Sequence, residues 1–594
     1  MTKKIYSIMM TVALLAAGVA MTGCQNNDPQ EPAQVKTYKM SIAASKGAEN
    51  TNPANGPKKV LGLDGTTLNA TWATDEEVTV YNETKGAALG GVLKPQSAGA
   101  NTTLLGELTG TIEAGDVLTL KFLSPSYASQ DGTLEYISAN CDYATASVTV
   151  VSVDGGTIYT EGTANFANQQ AIVKFTLMKK ADNSAVEIPA ATALTVNDGT
   201  NTYTVTPASA TDVLFVAIPA TNTVHLSTSF SGFTYSYDKT ATDLLAAGQY
   251  YEIGVKMWRE VNLAGISSNT TLINGDKVVG TIGGKYKISI AAGATVNLYD
   301  ATITYASNGA DYAGLTCLGD ATIVLGDGTT NTIVSGLDGS GNNNWPGIYV
   351  PTGKTLTING NTGILNARCG QDSYGGSAAG IGCGFKSGSD CGNIIINGGV
   401  INAYGGAKSA GIGGVNKRSC GNITINGGTV TAIGDSYGSD TGYGAGIGTG
   451  GSIVGTATVT CGDITIPGGT VTATGGRGAA GIGTGHSGAN VAITCGNITI
   501  SGGTVIATGG GDADLGYEGA AAIGTGNKED TGTADNKCVN ITITTGVTRV
   551  TATKGSSNAD NSIGPSGSNN TCGTITIGGV VTGNISTSPY IYEP

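Results

Sequence analysis

The most constraining feature of this sequence is a phrase that recurs through its C-terminal third. The clearest copy, Cys-Gly-Asn-Ile-Thr-Ile-Asn-Gly-Gly, begins at Cys420. Related copies, some of them weaker, begin at Cys391, Cys461, Cys495, Cys538 and Cys572. A second run follows, as in Thr470–Thr474, and a third run ends in Ile-Gly, as in Ala480–Gly483. A fixed phrase with filler of variable length is typical of a solenoid whose stacked units carry loops of different size.

Each unit holds three short extended runs that are rich in Ile, Val and Thr and separated by glycine pairs, with no helical period. Such units, stacked one upon another, predict a right-handed parallel β-helix in which equivalent positions lie about 4.8 Å apart. The first run predicts an inward ladder of Ile394, Ile423, Ile464, Ile498, Ile541 and Ile575. The third run predicts another, of Ile381, Ile412, Ile447, Ile482, Ile523 and Ile563. Because each large apolar side chain contributes only about 1.5–3 kcal/mol on burial, one coil cannot offset its own ordering entropy and stacking is obligatory.

The corner before the first run predicts two further stacks. One consists of Asn393, Asn422, Asn497 and Asn540, with Asp463 in the remaining position. The other consists of the six cysteines that begin the repeats. Their spacing permits disulfides, but parallel side-chain directions favour small buried thiols, and both alternatives stay open. Decayed copies, including Ala313–Leu315 and Pro346–Ile348, extend the solenoid back to about residue 265.

Residues 37–258 have a different pattern, with more charge, less glycine and apolar alternation separated by polar loops. This predicts two antiparallel β-sandwiches of about 100 residues each. The ordered segments Thr71–Tyr81, Asp116–Leu120, Gln169–Leu177, Leu214–Pro219 and Gly248–Lys256 resemble the fimbrillin-like family of Gram-negative surface lipoproteins.

That resemblance implies two transthyretin-like β-sandwich domains and a role in fimbriae or adhesion. Some members of the family lose a first strand to a protease and polymerise by strand donation. Here Lys58-Lys59 occupies the stretch where the family cut follows Arg, and a large solenoid follows the sandwiches. The resemblance therefore implies a tip or accessory subunit, or a stand-alone surface protein, more than a shaft subunit.

The first residues predict an export signal, with Lys3 and Lys4 before an apolar core from Ile8 to Met21. The core ends in Met-Thr-Gly-Cys24, which resembles the lipobox of bacterial lipoproteins. The resemblance implies cleavage before Cys24, lipid attachment to its sulfur and, since Gln25 follows, sorting to the outer membrane. A diacylated cysteine is a stable two-chain anchor.

The whole prediction is an all-β chain. Its parts are a signal peptide at 1–23, a tether at 24–36, sandwiches at 37–160 and 161–258, and a β-helix with an N-terminal cap at 259–594.

Charge and composition argue against several functions. Only 12% of residues are charged and the net charge is −13, which disfavours nucleic acid as a partner. Two histidines, His225 and His486, exclude a His-rich metal site, and His486 is interpreted as a surface loop residue. Charges in the repeats fall almost wholly in loops, apart from Asp463, so we predict no catalytic residue, no metal and no cofactor.

Two surface features remain as candidate contact sites. One is an outward threonine ladder: Thr424, Thr465, Thr499, Thr542 and Thr576. It could order water, although threonine is also simply favourable on a solvated strand face. The other is a set of tyrosines between the second and third runs: Tyr374, Tyr404, Tyr437, Tyr443 and Tyr517. They could stack on sugars, or they could pack over the coil edges.

The sequence therefore favours a non-enzymatic, outer-membrane, surface-exposed lipoprotein that acts as an adhesin or glycan-binding protein, with glycans or other fimbrial subunits as partners. A β-helix enzyme that degrades polysaccharides and a structural fimbrial subunit are the alternatives.

Overall fold

The computed structural model describes residues 35–46, 62–64, 67–305, 312–335, 345–370, 377–385, 388–434, 443–452, 457–488, 490–511, 519–528, 535–556 and 558–594. These residues are almost entirely β-structure, with one short α-helix at Leu134–Asn140 and a 3-10 turn at Leu263–Gly265. The chain divides into two compact units. Unit 1 contains residues 1–125 and 138–169, and unit 2 contains residues 126–137 and 170–594. The domain boundaries given above stay predictions.

Unit 1 is a β-sheet that closes on itself. The strands of this sheet are Thr37–Lys46, Val78–Asn82, Ala87–Ala88, Leu93–Pro95, Asn101–Thr109, Val117–Phe122, Ala144–Asp154, Thr157–Thr160 and Ala164–Asn168. Gly62–Asp64 and Thr67–Asn69 form a separate two-stranded sheet. The first strand closes the ring. It pairs antiparallel with Asn101–Thr109 on one side and parallel with Thr157–Thr160 and Ala164–Asn168 on the other. Strict alternation of buried and exposed residues along Thr37–Lys46 directs Met40, Ile42 and Ala44 into the core.

Unit 2 begins with a second set of mainly antiparallel strands. They are Ser129–Gln130, Gln170–Lys179, Leu194–Asn197, Thr202–Val205, Val213–Pro219, Thr221–Phe230, Phe233–Leu245 and Tyr250–Asn262. The last strand leads into the β-helix, because its early residues pair with Gln170–Lys179 and its final ones pair parallel with Asp276–Ile282. A partly buried bidentate ion pair spans this junction. Arg259 donates from Nε and Nη2 to the two Asp276 oxygens, each at 2.6 Å.

The β-helix consists of parallel ladders, and the first two of them start from two shared strands, Asp276–Ile282 and Thr295–Thr304. The first ladder contains Ala321–Leu325, Thr355–Asn359, Asn393–Ile396, Ile423–Ile425, Ile464–Ile466, Ile498–Ile500, Ile541–Ile543 and Ile575–Ile577. The second contains Thr330–Val334, Ile364–Arg368, Val400–Tyr404, Thr429–Ile433, Thr470–Thr474, Gly503–Thr508 and Val547–Thr553.

The remaining ladders complete each coil. The third contains Thr270–Leu272, Ile288–Ile290, Leu315–Cys317, Ile348–Tyr349, Ile381–Gly382, Ile412–Gly413, Ile447–Gly448, Ile482–Gly483, Ile523–Gly524 and Ile563–Gly564. The fourth, present in later coils, contains Ala457–Cys461, Val491–Cys495, Asn536–Cys538 and Thr571–Cys572. The predicted parallel β-helix is confirmed.

Both predicted isoleucine ladders are confirmed residue by residue. In the first ladder Ile394 pairs with Ile423, and the register continues through each predicted position to Ile575. In the third ladder Leu315 and Ile348 precede Ile381, as the decayed copies predicted. All of these side chains lie in one continuous apolar core, so burial fixes the register of every coil.

The predicted asparagine stack is confirmed and has a clear role at the corner. The Oδ1 atom of Asn422 accepts from the backbone N–H of Asp463 at 2.9 Å, and Asp463 Oδ1 accepts from the N–H of Asn497 at 2.7 Å. In the same way, Asn393 Oδ1 accepts from the backbone N–H of Asn422, and Asn540 Oδ1 accepts from the backbone N–H of Thr574. Four of the five side chains therefore satisfy a corner N–H of the next coil, and Asp463 performs the same structural task as the asparagines. The Oδ1 atom of Asn497 instead accepts from Nδ2 of Asn540 at 3.0 Å.

The C-terminal segment reverses direction and caps the last coil. Earlier corners place a residue between the first-ladder strand and the Gly-Gly pair, but Ile577 is followed directly by Gly578 and Gly579, both with positive φ. Two central residues with positive φ form a tight hairpin turn, so Val580–Thr582 returns antiparallel along the last first-ladder strand. Tyr590–Tyr592 then pairs antiparallel with Val547–Thr553, covering the edge of the second ladder.

Candidate functional surface

The second ladder presents a face of mostly uncharged polar side chains. At its central outward position, residues lie in register from coil to coil: Thr302, Thr332, Asn366, Asn402, Thr431, Thr472, Ile506 and Thr551. Most of these side chains are half-buried, and Asn402 donates to Asn366 at 2.9 Å. We call this set the second-ladder face. Its hydroxyl and amide groups repeat at the strand spacing and offer both donors and acceptors.

The predicted threonine ladder on the first ladder is confirmed and is longer than expected. Thr424, Thr465, Thr499, Thr542 and Thr576 are in register and half-buried. The column continues backwards through Ile395, Thr357, Thr322 and Thr295. The early repeats differ from the consensus phrase, so these members of the column were not recognised from the sequence.

Two of the five candidate tyrosines lie in the described residues. Tyr404 is the last residue of a second-ladder strand, in register with Arg368 and Ile433, and it is half-buried. It therefore borders the second-ladder face. Tyr443 is buried and stacks on the ring of His486 with a centroid distance of 4.8 Å. Tyr374, Tyr437 and Tyr517 lie outside the described residues, as does Cys24.

His486 was interpreted as a surface residue, and that interpretation is wrong. Its side chain is 8% exposed and its Nδ1 atom has no hydrogen-bond partner. Burial lowers the pKa of His486 to about 4, so the ring is neutral at neutral pH. The glycine-rich sequence around it is typical of a loop, but the ring packs against Tyr443, whose carbonyl oxygen also accepts from the backbone N–H of His486.

The cysteines stack as predicted. Cys461, Cys495, Cys538 and Cys572 are in register. The backbone of Cys420 forms a parallel β-bridge with that of Cys461, and the Sγ atom of Cys420 donates a hydrogen bond to that of Cys461 at 2.9 Å. None of the ten cysteines of the described residues forms a disulfide, and all but Cys572 are buried. Burial raises the pKa of Cys391 well above its ordinary value, which keeps that thiol neutral.

Charged groups are sparse on the described faces of the β-helix. On the second ladder Arg368 and Arg549 are exposed and lie in different coils, and Arg549 pairs with Glu593 at 3.1 Å. Among the described residues, no group of three or more His, Cys, Asp or Glu side chains is arranged to hold a metal. None of their helices has the length and apolar character needed to cross a membrane.

The repeats match a known family. Four stretches of the chain, residues 394–414, 423–451, 464–486 and 498–527, match the model of the family described as Beta helix repeat. Together with the fold, these matches define a β-protein whose C-terminal part is a parallel β-helix of this repeat type. The chain is also 30% identical over 190 residues to the Adhesin BmaC autotransporter of Brucella suis biovar 1 (strain 1330). That match covers 29% of this chain and spans only 5% of the length of the adhesin.

Solved structures that are similar to parts of the chain include cell adhesion and fimbrial proteins. A putative cell adhesion protein from Bacteroides fragilis NCTC 9343 is 13% identical, with a TM-score of 0.22, and the match covers 36% of this chain and 92% of that one. The tip fimbrial protein Mfa3 from Porphyromonas gingivalis is 9% identical, with a TM-score of 0.18, covering 34% of this chain and 80% of that one.

Proposed function

We propose that this chain is a non-enzymatic adhesin of the cell surface, held at the outer membrane by a lipid on Cys24. The observation that carries the proposal is the second-ladder face, an ordered and nearly uncharged array of hydroxyl and amide groups on a rigid support. The similarity to the Brucella adhesin supports the same class of function. In this proposal the sandwiches serve as the stalk and the β-helix makes the contact.

The chemistry of the surface favours neutral glycans as ligands. Threonine hydroxyls and asparagine amides can pair with sugar hydroxyls, and an aromatic ring at the edge can stack on a pyranose face. The net charge of −13 repels polyanions, so acidic polysaccharides should bind more weakly than neutral ones. Within the described residues, the outward positions of the second ladder carry no pair of carboxylates of the kind that glycoside hydrolysis uses.

The test is a glycan array that holds neutral and acidic polysaccharides, probed with the full chain. We expect binding to neutral glycans that weakens several-fold in Tyr404→Ala. Tyr81→Ala is the matched control, because Tyr81 is a half-buried strand tyrosine of unit 1 and its removal should leave binding unchanged. Binding that is confined to acidic polysaccharides, or accompanied by release of shorter sugars, would refute the proposal.

The loop tyrosines are tested separately with Tyr437→Ala and Tyr517→Ala. Reduced binding in either variant would include the loops in the contact surface. Wild-type binding by both variants, together with reduced binding by Tyr404→Ala, would restrict the contact to the second-ladder face.

A further inference from the structure

Three ionisable side chains meet inside the core of unit 1. Lys46 Nζ lies 3.1 and 3.3 Å from the two carboxylate oxygens of Glu76 and 3.7 Å from Oδ2 of Asp142. The three side chains are 1%, 1% and 3% exposed. Two aromatic rings enclose the amine: the centroid of Phe122 lies 3.5 Å from Nζ and that of Trp72 lies 4.9 Å from it. One basic group and two acidic groups are therefore held together out of contact with water.

Keeping all three buried groups charged would cost a large desolvation energy. Buried ion pairs often fail to recover their desolvation energy, and a second carboxylate beside one ammonium leaves a net buried charge. Buried groups avoid this cost by moving protons until they are neutral. In a cluster of one amine and two carboxyl groups, such proton movement yields an unprotonated amine beside a protonated carboxyl group. An unprotonated amine is a nucleophile, and a protonated carboxyl group is an acceptor for it.

We propose that Lys46 and Asp142 become joined by an amide bond between their side chains, with Glu76 carrying the protons. The Nζ lone pair attacks Cγ of the protonated Asp142 carboxyl group, and the new N–C bond forms. Glu76 accepts a proton from Nζ and delivers it to the departing hydroxyl oxygen. The C–O bond then breaks, one water molecule leaves, and Glu76 returns to its starting state.

The contacts assign the roles of the two carboxyl groups. Glu76 accepts from Nζ through both of its oxygens, which suits a group that takes up and returns protons. Asp142 approaches Nζ through one oxygen at a distance longer than a hydrogen bond. Holding amine and carboxyl group in place supplies an effective concentration of up to about 10⁵–10⁸ M, which favours condensation. The rings of Phe122 and Trp72 keep out the water that would reverse it.

The bond would connect the strand that enters unit 1 with a strand near its end. Lys46 is the last residue of Thr37–Lys46, and Asp142 lies just before Ala144–Asp154. A pulling force that arrives along the first strand would pass through the side-chain amide and bypass residues 47–141. Such a bond would suit a stalk under load. That benefit rests on the proposed adhesin function, but the bond itself does not depend on it.

Mass spectrometry of a tryptic digest of the full-length protein tests the proposal directly. Trypsin does not cut after an acylated lysine, so Met40–Lys58 should appear joined to Phe122–Lys174. The joined mass should be lower than the sum of the two peptides by one water molecule. The free peptide Met40–Lys46 should be absent.

Variants separate the proposed chemistry from simple burial. Glu76→Gln keeps the shape of the side chain but cannot carry a proton, so the joined peptide should be lost while circular dichroism stays that of the folded chain. Lys46→Arg should also abolish it. Asp142→Asn can still react by releasing ammonia in place of water, and because the amide formed is the same, its joined peptide should have the same mass as that of the wild type.

The digest of the wild-type protein shows whether the amide bond is present even if a variant does not fold. Recovery of the two peptides separately and at full mass from folded protein would overturn the proposal. A link from Lys46 to Val60–Lys85, which contains Glu76, would overturn the assignment of roles. Binding of glycans is not needed for any of these results, so this test can fail or succeed independently of the adhesin proposal.

Discussion

The sharpest test of the β-helix geometry is the substitution Gly448→Ala in the third ladder. Gly448 has φ of +136°, and a Cβ atom built there would lie 1.9 Å from the carbonyl oxygen of Gly483 in the next coil. That oxygen belongs to the backbone, so it cannot move aside as a flexible side chain could. The clash can be relieved only by separating the two coils.

The cost of separation follows from the hydrogen bonds that hold these coils together. Thr449 N–H donates to Gly483 at 3.1 Å, and Ile447 N–H donates to Gly481 at 2.9 Å. Leaving a buried donor unsatisfied costs about 1–3 kcal/mol, and a strained φ adds about 1–3 kcal/mol. We therefore expect Gly448→Ala to lower the free energy of unfolding by about 4 kcal/mol or more, which is exceptional for one methyl group.

Urea denaturation followed by circular dichroism measures this loss, with Gly353→Ala as the matched control. Gly353 also has a positive φ, +69°, but nothing lies within 4 Å of its Cβ position. Its substitution should cost only about 1–2 kcal/mol, the price of the left-handed backbone. Equal losses in the two variants would show that backbone strain alone matters and that the close approach of the coils does not.

Three further predictions concern the corners and the buried groups of the β-helix. The folded pKa of His486 is about 4 against 6.5 for the ordinary residue, so its contribution to stability is present above pH 6.5 and is lost as the pH falls towards 4, by up to about 3 kcal/mol. His486→Phe should reduce the change in urea midpoint between pH 7 and pH 4.5, and an unchanged pH dependence would contradict the buried neutral ring. Asn422→Ala should cost about 1 kcal/mol by removing the acceptor of the Asp463 N–H, whereas Asn422→Asp keeps that oxygen and should unfold at nearly the wild-type urea midpoint. The stacked thiols should resist a thiol reagent in the native protein and react on denaturation, and a count below the ten cysteines of the described residues would indicate disulfides.

The repeats could be placed in three dimensions from the sequence because each position of the phrase has a single use. Ile423 and Ile464 must lie inward since alternate residues of a strand face opposite sides, and repetition then places them one above the other. Asn422 could be assigned to the corner stack by the same logic. Even Asp463, the charged exception, followed from its place in the phrase.

The arrangement of the candidate site was harder to predict from the sequence. The tyrosines were grouped by their position between runs, but Tyr404 ends a strand while Tyr443 is buried against His486. The in-register columns of the second-ladder face were also missed. Their signal was the repeated threonine at the centre of each second run, as in Thr431 and Thr472.

The sequence by itself determined the β-helix, its ladders and its corner stacks, because neighbouring coils are related by a repeat that can be read along the chain. Only the tertiary structure decided that Tyr443 stacks on the buried His486, how the first strand closes unit 1, and that Lys46, Glu76 and Asp142 meet beside Phe122. These contacts join residues that no period relates. The packing of the whole unit determines which of these residues come into contact, and no local sequence pattern indicates it.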